Sequence, residues 1–161
     1  MNTTFHTYGF EKLQVWKFSI SLAKKIYQLT ELFPIKEQFG LTSQIRRSVN
    51  SVSSNISEGT ARLGIKDRAR FYQIAFSSLI ETLNHLILSK EFQYLDEGPY
   101  IRTRQQIDEV AKLLNGLYKS QVKHLSEPEI PYGSGEDFRR IYSIDTSSSV
   151  YEWNDVERLK G

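Results

Sequence analysis

Arg46, Arg47, Arg62, Lys66, Arg68 and Arg70 crowd into the stretch 46–70. Lysine and arginine presented together neutralise phosphates and release their counterions, which gives salt-sensitive and largely sequence-blind nucleic-acid binding. Each residue taken singly also reads as an ordinary solvated cation. A polar ribbon of Gln44, Arg47, Ser48, Ser51, Asn55 and Glu58 is interleaved with these cations. Ser48 and Ser51 are small enough to let another backbone approach closely. Glu58 falls at a helix C-terminus, where the helix dipole disfavours an anion by about 0.3–1 kcal/mol. A cationic partner is therefore expected, with Arg46, Arg47 and Arg62 as candidates. Asn55, Glu58 and an arginine would lock the turn that follows, and Gly59 would supply a left-handed C-cap.

The residues that catalysis needs do not converge in this sequence. A di-metal carboxylate bundle requires repeated Glu-x-x-His pairs, and the nearest approach is Glu81 with His85, four apart and unrepeated. Neither His85 nor His124 follows an arginine at the spacing of a helical ribonuclease. The segment Gly59–Gly64 has no lysine-serine ending to make it a phosphate loop. A serine nucleophile would need a histidine base beside it, and three histidines give no such arrangement. With no cysteine, disulfides and thiolate metal sites are excluded. The expectation is a protein without catalytic residues, metal ligands or cofactor.

The cations and the ribbon need helices to hold them. Leu41, Ile45, Val49, Val52 and Ile56 recur at the spacing of one helical face, which predicts a helix over Leu41–Glu58. A first helix is expected from about Phe10 to Leu32, and a third from about Lys66 or Asp67 to Phe92. A fourth follows a turn at Asp96–Tyr100 and carries Ile107, Val110, Ala111, Leu114, Leu117, Tyr118 and Val122. Pro34 and Gly40 mark the connection between the first two. Short loops between long helices make antiparallel neighbours. The predicted fold is all-α: an antiparallel up-down four-helix bundle over 1–125, followed by a mostly irregular tail over 126–161.

That tail holds Pro128, Pro131, Gly133 and Gly135, yet Phe138, Ile141, Tyr142, Tyr151 and Trp153 are too apolar for a purely solvated segment. Short helical turns are expected near 136–142 and 150–159. Charge divides at the same boundary: residues 1–125 hold 17 Lys and Arg against 11 Asp and Glu, and the tail holds 4 against 8. A basic body favours a polyanionic partner. The chain has 161 residues, with no run long enough to cross a membrane and no apolar signal segment at its start. A cytoplasmic location is expected.

The first helix is apolar on two sides. Leu13, Trp16, Ile20, Ala23 and Tyr27 form one seam; Val15, Phe18, Leu22, Ile26 and Leu29 form another. A surface helix usually shows an apolar arc a little over ~100° wide, and this one is about twice that. A second, intermolecular face is therefore expected, formed by Val15, Phe18, Leu22, Phe76, Leu83 and Ile87, because large exposed apolar patches are unusual on monomers.

A resemblance rests on Phe33-Pro34, Glu37, Gly40-Leu41, Gln44, Arg46-Arg47, Ser51-Val52, Asn55-Ile56 and Glu58-Gly59. Leu13, Val15-Trp16 and Tyr27 fit upstream, as do Phe71, Ala75, Ser78-Leu79, Glu81 and Tyr94-Leu95 downstream. Over roughly residues 8–122 the chain resembles the four-helix-bundle family encoded by intervening sequences of bacterial 23S ribosomal RNA genes. A relative of that family is the accessory variability determinant of diversity-generating retroelements. The resemblance implies a ring-shaped homopentamer and a partner that is nucleic acid or a nucleic-acid enzyme. The expected function is thus a non-catalytic, oligomeric bundle binding RNA or DNA as an accessory module. The alternative is a protein–protein scaffold that holds a partner enzyme, such as a reverse transcriptase, without touching nucleic acid.

Overall fold

The computed structural model describes residues 5–123, and the expectations for 126–161 lie outside these residues. A 3-10 turn at Gly9–Lys12 precedes four helices: α1 (Gln14–Thr30), α2 (Leu41–Thr60), α3 (Ile65–Glu91) and α4 (Glu97–Val122). α1 packs on α2 and α4, and α3 packs on the same two helices, which closes a four-helix bundle. The all-α architecture is as the apolar spacing predicts. One end of the bundle gathers the start of α1, the α2–α3 turn and the end of α4; it is called basal below. The apical end holds the α1–α2 and α3–α4 connections. Arg68 Nη1 donating to Gln121 Oε1 at 3.1 Å ties the basal elements, and the Tyr94 hydroxyl donating to Glu37 Oε1 at 3.2 Å ties the apical ones.

Helix boundaries differ from expectation where backbone chemistry intervenes. The first helix is not continuous from Phe10, because Leu13 is extended (φ −72°, ψ 126°) and separates the 3-10 turn from α1. Gly98 and Pro99 lie inside the first turn of α4, where proline's missing N–H leaves no helical bond unmade. Gly59 lies within α2 and is buried, so it is not a left-handed cap. A Cβ there would stand 2.6 Å from Tyr72 Cε1 and 2.9 Å from Cδ1. The glycine exists to let the Tyr72 ring press on the α2 backbone. The left-handed cap is instead at Gln93 (φ 59°), after α3. Its N–H donates to Lys90 O at 2.8 Å and the Tyr94 N–H to Ser89 O at 2.9 Å, the paired bonds of a Schellman ending.

The polar ribbon of α2 is the seam against α3. Thr82 Oγ1 donates to Ser48 Oγ at 2.9 Å, and Ser51 and Ser78 share a hydrogen bond of 2.9 Å. Asn55 Nδ2 donates to Ser51 O at 2.8 Å. The close neighbour that the small serines admit is therefore α3 of the same chain.

The core holds Leu22, Ile26, Ile45, Val49, Val52, Ile56, Leu79, Leu86, Ile107 and Leu114, with Tyr72 and Tyr118 buried among them. Burial raises both phenols above their ordinary value, opposed at Tyr72 by the Arg68 charge and at Tyr118 by the Gln73 hydrogen bond. A phenol that resists ionisation in the fold but ionises freely once unfolded makes stability fall with rising pH. That contribution is intact below the unfolded value near 10 and is lost above it. Thermal melts across pH 8–12 should therefore fall less steeply above pH ~10 in Tyr118→Phe than in the parent chain. An identical alkaline slope would show that this phenol is not involved.

Candidate nucleic-acid interface

Folding concentrates the charge. When each helix is divided at its midpoint, the basal half (residues 5–22, 51–78 and 110–123) holds nine Lys and Arg against three Asp and Glu. The apical half holds eight of each. The entire cationic excess of the described bundle thus lies at one end. Glu58 pairs with Arg62 there, and Asp67 Oδ2 lies 3.7 Å from Arg62 Nε. Among the described residues no ion pair engages Lys12, Lys17, Lys66, Arg70, Lys119 or Lys123.

The six cations read from the sequence do not form one site. Lys66 and Arg70 are exposed on the first turns of α3. Arg68 beside them donates through Nη2 to Arg62 O at 2.9 Å and through Nη1 to Gln121, so it braces the α2–α3 turn while keeping its charge. Arg62 is the cationic partner that Glu58 requires, and its guanidinium lies 4.3 Å from the Phe71 ring centre. Asn55 acts on Ser51 and not on that turn.

Arg46 and Arg47 are in the apical half and face opposite flanks of α2. Consecutive helical residues point about 100° apart. Arg46 Nε donates to Thr30 Oγ1 at 2.8 Å, with its guanidinium 4.7 Å from the Tyr27 ring centre. Arg47 Nη2 reaches Glu81 Oε1 at 2.6 Å. The same Glu81 oxygen is 3.7 Å from His85 Nε2, so the only Glu/His pair of α3 is engaged by an arginine. Lys90 is similarly held at the apical end by Glu97 at 2.6 Å, and that hydrogen bond raises its ammonium above the ordinary value. Lys12, Lys119 and Lys123 join the basal cations only because four antiparallel helices bring three chain segments together. Their signal lies in the topology and not in any local motif.

The expected intermolecular residues also divide. Val15, Leu22 and Phe76 are buried inside the protomer and offer no surface to another molecule. The Val15–Leu29 seam is the core face of α1, and the seam with Trp16, Ile20 and Tyr27 borders solvent. Phe18, Leu83 and Ile87 are half-buried. Ile74 and Ile80, which the periodicity does not single out, are 38% and 39% exposed on the outer side of α3. Between Arg70 and Lys90 that helix carries a single charged side chain, Glu81, already paired with Arg47.

An all-α bundle with a cationic end and no membrane-length apolar helix among its described residues is the class that fold and site define. The chain belongs to the 23S rRNA-intervening sequence protein family, which matches residues 11–116. It is similar to a crystal structure of a protein of unknown function from the S23 ribosomal protein family of Bacteroides thetaiotaomicron. The two are 28% identical with a TM-score of 0.61, over 65% of this chain and 98% of that one. No functionally curated protein matches the chain.

Proposed function

We propose that the protein is a non-catalytic, self-associating cytoplasmic module that binds the backbone of RNA or DNA through its basal end. The observation that supports this reading is the segregation of all excess positive charge to that end, with Lys66, Arg70, Lys119 and Lys123 free of ion pairs among the described residues. Phosphate binding by such a surface needs no motif, only cations held near one another. Binding of the full chain to fluorescent RNA and DNA oligonucleotides from low to moderate salt is the direct test. The logarithm of affinity should fall linearly with the logarithm of salt. Absence of binding at the lowest salt, or a flat response, would overturn the reading.

Self-association is assigned to the outer side of α3, where Ile74 and Ile80 lie beside half-buried Leu83 and Ile87. A closed ring, of five copies as the family resemblance implies, would cover this face without leaving sticky ends and would present the basal cations several times over. Ile80→Glu should shift the protein to monomers in sedimentation while leaving its melting temperature within a few degrees. An unchanged assembly would remove this face from consideration.

A second reading draws on the apical end. Leu32, Ile35 and Phe39 are 82%, 87% and 89% exposed on the α1–α2 connection, a surface suited to an enzyme partner such as a retroelement reverse transcriptase. Ile35→Asp with Phe39→Asp should then abolish capture of that partner and leave oligonucleotide binding intact.

A further inference from the structure

Beside the basal cations, the 3-10 turn at Gly9–Lys12 overhangs the last turns of α2 and leaves a cleft of about 470 Å³. Tyr8 and Phe10 form one wall; Ser54, Ser57, Glu58 and Thr60 line the α2 side. The aromatic wall is ordered by contacts within the chain. The Tyr8 ring stacks on Phe10 with centroids 6.1 Å apart and planes 16° from parallel, and Phe10 meets Trp16 edge-on at 5.1 Å. The Tyr8 backbone is fixed by Glu11, whose Oε1 accepts from the Tyr8 N–H at 2.7 Å while the Glu11 N–H donates to Tyr8 O at 3.1 Å. The His6 ring also meets Tyr8 at 4.9 Å with the planes near perpendicular, yet Tyr8 is 61% exposed, so it is held in place while much of its surface stays open to solvent.

The opposite wall is chemically one-sided. Ser54 Oγ donates to Asn50 O at 3.0 Å, Ser57 Oγ to Ser54 O at 2.8 Å, and Thr60 Oγ1 to Ser57 O at 2.7 Å. Each hydroxyl proton is thus directed back into the helix, and the oxygens are left as acceptors. Glu58 adds a carboxylate, steadied by Arg62. These acceptors edge a cleft whose lining is otherwise mostly apolar, a combination that disfavours phosphate and suits a flat apolar face with an N–H-rich rim.

We propose that this cleft takes an unpaired nucleobase, stacked on Tyr8 with its amino or imino edge toward Ser54, Ser57 and Glu58, while the basal cations hold the flanking phosphates. The proposal deepens the nucleic-acid reading and rests on it: the ligand becomes a single strand. In a duplex the same N–H donors are consumed by base pairing, and the base faces are closed by stacking. Aromatic platforms beside cationic grooves are the general means of holding single strands. Adenine, cytosine and guanine each present an amino group on that edge; uracil presents only one imino N–H between two carbonyls. The cleft should accordingly discriminate against uracil.

Anisotropy with the full chain, at one fixed salt concentration, separates the outcomes. The probes are an adenine 12-mer, a uracil 12-mer and the duplex of the two. The adenine strand should bind more tightly than the uracil strand. Tyr8→Ala should weaken the adenine strand roughly 5–150-fold, the loss of one base–aromatic stack, with duplex affinity unchanged within about twofold. Tyr8→Phe should restore single-strand binding, and melting curves should match the parent for both variants. If Tyr8→Ala leaves the adenine strand unaffected, or weakens strand and duplex equally, the cleft assignment is overturned while salt-dependent binding keeps the basal end in place. If no probe binds the parent chain, both readings fall.

Discussion

Gly59→Ala should destabilise the protein even though alanine is the better helix former, and Gly116→Ala should do the opposite. Both glycines lie within helices, where alanine is favoured by roughly 0.5–1 kcal/mol. At Gly116 a Cβ meets nothing within 4 Å, so the propensity gain should appear in full. At Gly59 the Cβ would lie 2.6 Å from a ring carbon of Tyr72, a residue 2% exposed with no space to retreat. Overpacking of this kind costs about 1–3 kcal/mol and outweighs the propensity term. A net melting-temperature drop of up to roughly 10 °C is expected for Gly59→Ala, against a rise of a few degrees for Gly116→Ala. Stabilisation by both substitutions would mean that α2 and α3 are not pressed together at Tyr72.

Charge reversal at the basal end should have the largest effect on binding. Lys66→Glu with Arg70→Glu changes four units of charge on the exposed first turns of α3 and touches no buried group. For every phosphate that is no longer neutralised, the salt slope should shrink by about one, and affinity at low salt should fall at least roughly 100-fold. Arg46→Ala, in contrast, removes a cation that already serves Thr30 and Tyr27 in the apical half. It should leave affinity within about twofold and lower stability instead. Equal reductions for the two variants would contradict a binding surface confined to one end.

The four helices are legible in the sequence because core stripes on α2 and α4 recur at helical spacing and are buried, save Leu117 and Val122, which are half-buried at the end of α4. The inward side of α1 is not, since two seams fit the same period equally well. Small polar residues settle it: Ser19 and Thr30 are buried and return their hydroxyl protons to Trp16 O and Ile26 O. They mark the core side more truly than Trp16 or Tyr27, which need a polar rim. The cap expected at Gly59 is not there because a glycine that admits a neighbouring ring and one that turns the chain look alike in sequence. At Gln93 the reverse applies, since nothing in that residue announces a left-handed backbone.

The candidate site is legible in part. Lys66, Arg68 and Arg70 lie where a basic loop leads into a helix, and Arg62 answers the carboxylate of Glu58 as the dipole argument requires. Arg46 and Arg47 are their neighbours only along the chain. About eleven residues of helix at 1.5 Å each separate Arg47 from Glu58, which is some ~16 Å. Lys119 and Lys123 can be placed beside Lys66 only once the fourth helix is known to return to the α2–α3 turn.

The central claim is spatial: nucleic acid meets the basal end. Backbone amide shifts of the isotope-labelled full chain, followed as a short adenine strand is added at low salt, test it most directly. The account predicts perturbations concentrated in residues 8–17, 57–70 and 116–123, with 32–40 and 91–102 unmoved. Shifts centred on the apical connections, or none anywhere at saturating strand, would contradict it.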